Sequence, residues 1–113
     1  MDLANKKCVP CEGGTAPLDD SAVKIYAAEF PSWQVVENKK IRKDFQFKDF
    51  LEAMQFVNKV ADIAEAEQHH PDISIFYNKV SLELSTHAIG GLSENDFILA
   101  AKVDRLSMKD IIN

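Results

Sequence analysis

Between about Phe47 and Gln68, apolar residues recur at three- and four-residue intervals: Phe50, Leu51, Met54, Val57, Val60, Ala61 and Ala64. Lys48, Glu52, Asn58, Asp62 and Glu65 lie off that stripe. The pattern predicts one long amphipathic helix whose apolar side is core and not a cofactor-binding face. Pro71 stops the helix and pushes His70 towards an extended conformation.

The segments on either side alternate differently. Before the long helix, Asp19, Asp20 and Ser21 are suitable cap or first-turn residues for a shorter helix carrying Val23, Tyr26, Ala27 and Phe30, which Pro31 ends. Trp33, Val35 and Val36 suggest a strand, Glu37-Asn38-Lys39 a turn, and Ile41, Phe45 and Phe47 its antiparallel partner. After the long helix, Ile73, Ile75 and Tyr77 alternate with Ser74 and Phe76, and Asn78-Lys79 reads as a two-residue turn. Val80, Leu82, Leu84 and Thr86 then alternate with Ser81, Glu83, Ser85 and His87, as in a half-buried strand. Gly90-Gly91 forms a loop, Ser93 with Asp96 resembles a capping box, and a last helix runs to about Met108. Hairpins separated by helices point to an α+β two-layer sandwich: a four-stranded antiparallel sheet with helices on one face, in the order helix-β-β-helix-β-β-helix.

With 113 residues, the chain has the length of one domain. Residues 1–17, punctuated by Gly13, Gly14 and Pro17, read as a flexible N-terminal arm, and residues 18–113 as the folded domain. The arm contains Cys8-Val9-Pro10-Cys11. A zinc site wants four ligands and no second such pair exists, while a redox motif wants a strand before it. Two reduced thiols are the plainer expectation. The net charge of -5 argues against nucleic acid as a partner. Lys39, Lys40, Arg42 and Lys43 form the one basic run, which reads as the solvated tip of a hairpin. No apolar run approaches a membrane span, and Met1–Lys7 carries no apolar leader core, so the cytoplasm is the expected compartment and no membrane partner is expected.

The three histidines, His69, His70 and His87, all fall within nineteen residues. A hairpin between the pair and the third can return the chain to its entry, so the three can meet. Such a cluster could bind a metal, carry protons, or be ordinary surface histidine. Joint chelation by His69 and His70 is awkward, because neighbours in an extended segment point to opposite sides.

The spacing is more specific than the residue types. Glu65 is followed after three residues by His69-His70-Pro71, then after five by Tyr77, after nine by His87 and after eight by Asp96. Phe47-Lys48-Asp49-Phe50, Tyr77-Asn78-Lys79-Val80, Leu84-Ser85-Thr86-His87 and Gly91-Leu92-Ser93-Glu94 connect them. From about Leu18 to Leu106 this pattern resembles the pterin-4a-carbinolamine dehydratases. Even Cys8-Val9-Pro10-Cys11-Glu12-Gly13-Gly14 is similar to the arms of many microbial members. The resemblance implies a hydro-lyase that removes water from 4a-hydroxytetrahydrobiopterin or a related pterin left by an aromatic amino acid hydroxylase. It implies catalysis by His69, His70 and His87, with Glu65, Gln68, Ser85, Thr86, Ala88 and Asp96 in contact with the pterin. It implies no metal or organic cofactor, and a homodimer or homotetramer whose sheets continue between subunits. Animal members also serve as a dimerisation cofactor of a transcription factor, which is the competing role. The chain departs from many members in two places: Gln68 replaces an acidic residue, and Ile73 replaces an aromatic that would change the pocket wall.

Overall fold

The computed structural model describes residues 2–10 and 16–106. Its helices are α1 (Asp20–Ala27), α2 (Phe50–Glu67) and α3 (Glu94–Asp104); its strands are β1 (Gln34–Val36), β2 (Lys40–Gln46), β3 (Asp72–Phe76) and β4 (Lys79–Leu84). Short 3-10 turns occupy Leu3–Asn5 and His87–Ile89. The sheet is antiparallel throughout, in the order β1-β2-β4-β3. This is the α+β architecture expected from the alternating patterns.

Local chemistry sets the boundaries. Asp19 caps α1 by accepting from the Ala22 N–H at 2.8 Å, and Asp49 caps α2 by accepting from the Glu52 N–H at 2.9 Å. The last helix ends at Asp104, and Met108 lies outside the described residues. In the first hairpin, Glu37 and Asn38 both take positive φ, and the Lys39 N–H reaches the Val36 carbonyl at 3.0 Å. That is the primed turn whose twist matches paired strands. The second hairpin turns one residue earlier than expected: Phe76 pairs with Lys79, and Tyr77 holds the positive φ of 55°. Asn78 is engaged elsewhere. Its side-chain amide donates to the Phe47 carbonyl at 2.9 Å, and its own carbonyl accepts from the Phe47 N–H at 2.8 Å.

The core lies between the sheet and α2 with α3. Ile41, Val80, Leu82 and Leu84 rise from the sheet, and Ala53, Phe56, Val57, Val60 and Ala64 descend from α2. The stripe on α2 therefore differs from the expected one. Val57, Val60 and Ala64 are core, but Phe50, Leu51 and Ala61 are exposed and Met54 is half-buried. At 3.6 residues per turn, the apolar residues sweep roughly 100° further round the helix than one sheet can cover. The outer part of that arc faces away from the protein's own core.

Helix α3 has the opposite problem, and it explains the N-terminus. Phe97, Ile98, Leu99, Ala100 and Ala101 are consecutive and all buried, so the helix is apolar on every side and must be covered on every side. Residues 2–10 supply part of that cover and are not a free arm. Leu3 is 2% exposed, Lys102 Nζ donates to the Ala4 carbonyl at 2.9 Å, and Lys6 pairs with Glu94 at 3.0 Å. The basic run is also occupied: Lys40 and Arg42 reach Glu83, Arg42 reaches Asp44, and Lys43 reaches Asp104. Among the described residues no helix is long and apolar enough to cross a membrane.

Because Leu3 belongs to the core, Leu3→Ala should lower unfolding stability by about 2–5 kcal/mol, the range for deleting a buried leucine. Urea unfolding measures it, and a change near zero would restore the free-arm expectation.

Candidate active site

Helix α2 ends at Gln68, whose backbone is left-handed (φ 53°) and whose side-chain amide donates back to the Glu65 carbonyl at 2.7 Å. The next two residues leave in different directions. The His69 side chain is 11% exposed and turns inward, with Nε2 at 2.6 Å from Asp96 Oδ1. His70 turns outward and pairs through Nε2 with Glu65 Oε2. An extended segment before a proline separates neighbours in this way.

The alternation of β4 continues past its end. Leu84 and Thr86 are buried, while His87 is exposed at the start of its 3-10 turn, and its imidazole makes no hydrogen bond among the described residues. The loop closes tightly behind it. The Thr86 N–H donates to the Gly91 carbonyl at 2.8 Å, and Gly90 takes the left-handed conformation with φ 67°. Gly91 has no room for a side chain, since a Cβ there would stand 2.8 Å from Pro17 Cβ. Pro17 and Leu18 thus brace the loop, and the Leu18 N–H donates to the Leu92 carbonyl at 2.9 Å.

Asp96 connects these parts. It is fully buried, and Oδ2 accepts from the Ser93 N–H at 3.0 Å and from the Thr86 hydroxyl at 2.9 Å, while Oδ1 faces His69. Since the Thr86 proton is committed to Asp96, the Ser93 hydroxyl is the donor in its 2.8 Å contact with Thr86 Oγ1. An acceptor facing His69 Nε2 places a ring proton on that nitrogen, so the neutral imidazole has its lone pair on Nδ1.

His69, His70 and His87 border one cleft of about 370 Å³, together with Gln68, Ser85, Thr86 and Ala88. That volume is ordinary for a small-molecule site. Two expected contact residues stand behind the wall. Asp96 is covered by His69 and Thr86 and bonds to both; Glu65 lies outside the cleft lining and pairs with His70. Ile73 packs against the core and does not line the cleft. Among the described residues no three His, Cys, Asp or Glu side chains converge closely enough to share a metal ion.

The remaining wall consists of Val9, Pro10 and Asn95, which sequence reasoning missed. The N-terminal stretch has no period that could have marked Val9 and Pro10. A fainter signal existed for Asn95, one of two polar residues between Ser93 and Asp96, just before the wholly apolar run of residues 97–101.

Cys8 lies beside this wall, and Cys11 is outside the described residues. Burial pushes the Cys8 thiol up to about 12 from 9.0, and the nearby Glu67 carboxylate adds to the shift. As the structure stands, Cys8 is therefore held as the thiol at neutral pH. A raised folded value means that the linked stability is intact below pH 9 and is lost as the pH rises towards 12. In a Cys11→Ser variant, iodoacetamide at about pH 8 should therefore alkylate folded Cys8 at least roughly tenfold more slowly than the unfolded chain. Equal rates, read by mass spectrometry, would contradict a protected thiol.

Comparison with known proteins identifies the family. The sequence profile of the family described as pterin 4 alpha carbinolamine dehydratase matches residues 16–106. A relative from Rubrobacter xylanophilus is 46% identical over 105 residues, covering 93% of this chain and 98% of its own. One from Nitrosospira multiformis is 51% identical over 105 residues, covering 93% of this chain and 92% of its own. Both carry the family's name. The crystal structure of a transcriptional coactivator/pterin dehydratase from Brucella melitensis superposes with a TM-score of 0.74 at 34% identity, covering 78% of this chain and 95% of that one. The chain belongs to the pterin-4a-carbinolamine dehydratase family and is, with it, a hydro-lyase.

Proposed function

We propose that the cleft dehydrates a 4a-hydroxytetrahydropterin to the quinonoid dihydropterin by histidine acid–base catalysis, and so restores the cofactor of an aromatic amino acid hydroxylase. The observation that carries this reading is the meeting of His69, His70 and His87 on one cleft, with His69 held from behind by buried Asp96. In the reaction the N5 lone pair forms the N5=C4a bond as the C4a–O bond breaks. One imidazolium gives its proton to the departing hydroxyl, which leaves as water, and a second imidazole takes the proton from N5. His69, with its lone pair on Nδ1, is the base. His87, whose ring no neighbour engages, is the acid. His70, paired with Glu65, orients the substrate or assists. Because the ring nitrogen supplies the electron pair, two proton carriers suffice and the scheme uses no cofactor. Ser85 and Ala88 border the same space and serve as pterin contacts.

An oligomer is the expected working form. Phe50 and Leu51 on α2, Phe76 at the end of edge strand β3 and Tyr77 just after it are exposed large hydrophobic side chains, and an unpaired strand edge invites another chain. The Brucella protein's name includes a coactivator role. For this chain such a binding role is the second reading, and it would use that apolar surface in place of the histidines.

The test is the decay of the 4a-carbinolamine with purified wild type, His69→Ala and His87→Ala. Wild type should accelerate it, and each variant should lose roughly a hundredfold or more in kcat. Folded wild type that gives no acceleration over buffer would bring the binding role forward.

A further inference from the structure

The cleft is polar on most sides. Its histidines, Gln68 and Ser85 can direct hydrogen bonds, but a flat bicyclic ring also needs an apolar surface to lie against. Besides Ala88, the apolar side chains of the lining are Val9 and Pro10, and both come from the N-terminal segment. Val9 is 64% exposed, so a ring resting on it would cover apolar surface that is open to water.

This segment is fastened at adjacent residues. The Val9 N–H donates to Asn95 Oδ1 at 3.0 Å, and Asn95 Nδ2 donates to the Val9 carbonyl at 2.6 Å. One buried amide thereby engages both backbone polar groups of Val9, much as a neighbouring strand would. The Cys8 N–H donates to Glu67 Oε1 at 2.8 Å, and Lys102 lies 3.6 Å from Glu67 Oε2. The Cys8 thiol donates to the Asn95 carbonyl at 3.6 Å. With its backbone so engaged, the segment presents an apolar side chain to the cleft.

We propose that Val9 and Pro10 form the apolar wall on which the pterin ring rests, and that Asn95 is the positioning residue that holds this wall in place. The proposal rests on the cleft being the pterin site. The wall carries no proton, so it contributes to binding and leaves the chemical step to the histidines. That division makes a specific signature: a change in KM with kcat preserved.

The experiment uses the full chain and follows carbinolamine decay with wild type, Val9→Ala, Asn95→Ala and the double variant, each checked for folding by circular dichroism. A non-reacting dihydropterin serves as the probe for binding by calorimetry. Val9→Ala should raise KM, and weaken dihydropterin binding, by roughly threefold to tenfold, with kcat within about twofold of wild type. Asn95→Ala should do at least as much, and the double variant should add little, since both changes remove the same wall. In a Cys11→Ser background, Asn95→Ala should also speed alkylation of Cys8, which reports release of the segment without reference to activity. Should wild type turn over while Val9→Ala keeps its KM and its dihydropterin affinity, the wall proposal fails and the histidine reading stands. A fall in kcat at constant KM would likewise overturn it, because Asn95 would then be acting on the proton carriers. If wild type neither accelerates decay nor binds dihydropterin, the pterin-site reading fails and the proposal fails with it.

Discussion

A carboxylate with no exposed surface, Asp96, is the point on which this structure turns. Removing a carboxylate from water costs several kcal/mol unless hydrogen bonds replace its hydration. Here three donors do so, and each comes from a different part of the chain: the Ser93 N–H at the start of α3, the Thr86 hydroxyl beyond β4 and His69 beyond α2. The bonds cannot all form unless the ends of those elements meet. One buried group therefore completes a helix cap, closes the end of the sheet and fixes an imidazole. In the proposed mechanism the last of these carries the chemistry, because a histidine with a fixed tautomer presents a defined lone pair.

The two layers bring these ends together. Sheet register sets β4 between β2 and β3, so its apolar residues rise beneath α2 and α3 and its polar ones face away. Helix α3 lies so deep that the sheet and α2 do not finish covering it, and α1 and the N-terminal segment cover the rest. That packing requirement carries Val9 and Pro10 to the rim of the cleft. A segment needed for burial thus becomes available for recognition.

Much of this was legible in the sequence because the underlying patterns are local. Strand alternation from Val80 to His87 sorted Thr86 inward and His87 outward, as the structure has them. Ser93 with Asp96 announced the start of α3, and the histidine spacing pointed to the family. What escaped depends on distant partners. Periodicity on α2 could not distinguish the face covered by the sheet from the face that carries Phe50 and Leu51 outward. The second turn moved by one residue because Asn78 clasps the backbone of Phe47, thirty-one positions away. The bond between Val9 and Asn95 spans eighty-six positions, and no pattern at either end foretells it. Asp96 was legible as a helix residue and as part of the family signature, but its burial behind His69 became evident only in three dimensions.

The most direct test of the account is the dehydration rate of Asp96→Asn beside wild type, with folding verified by circular dichroism and urea unfolding. An amide can still accept from the Ser93 N–H, but its other end presents N–H groups and would turn the lone pair of His69 Nε2 towards it. If Asp96 works by holding the His69 tautomer, the folded variant should lose roughly a hundredfold or more in kcat. A folded Asp96→Asn protein that dehydrates the carbinolamine at the wild-type rate would show that this buried carboxylate supports only the fold, and the acid–base account built on it would be wrong.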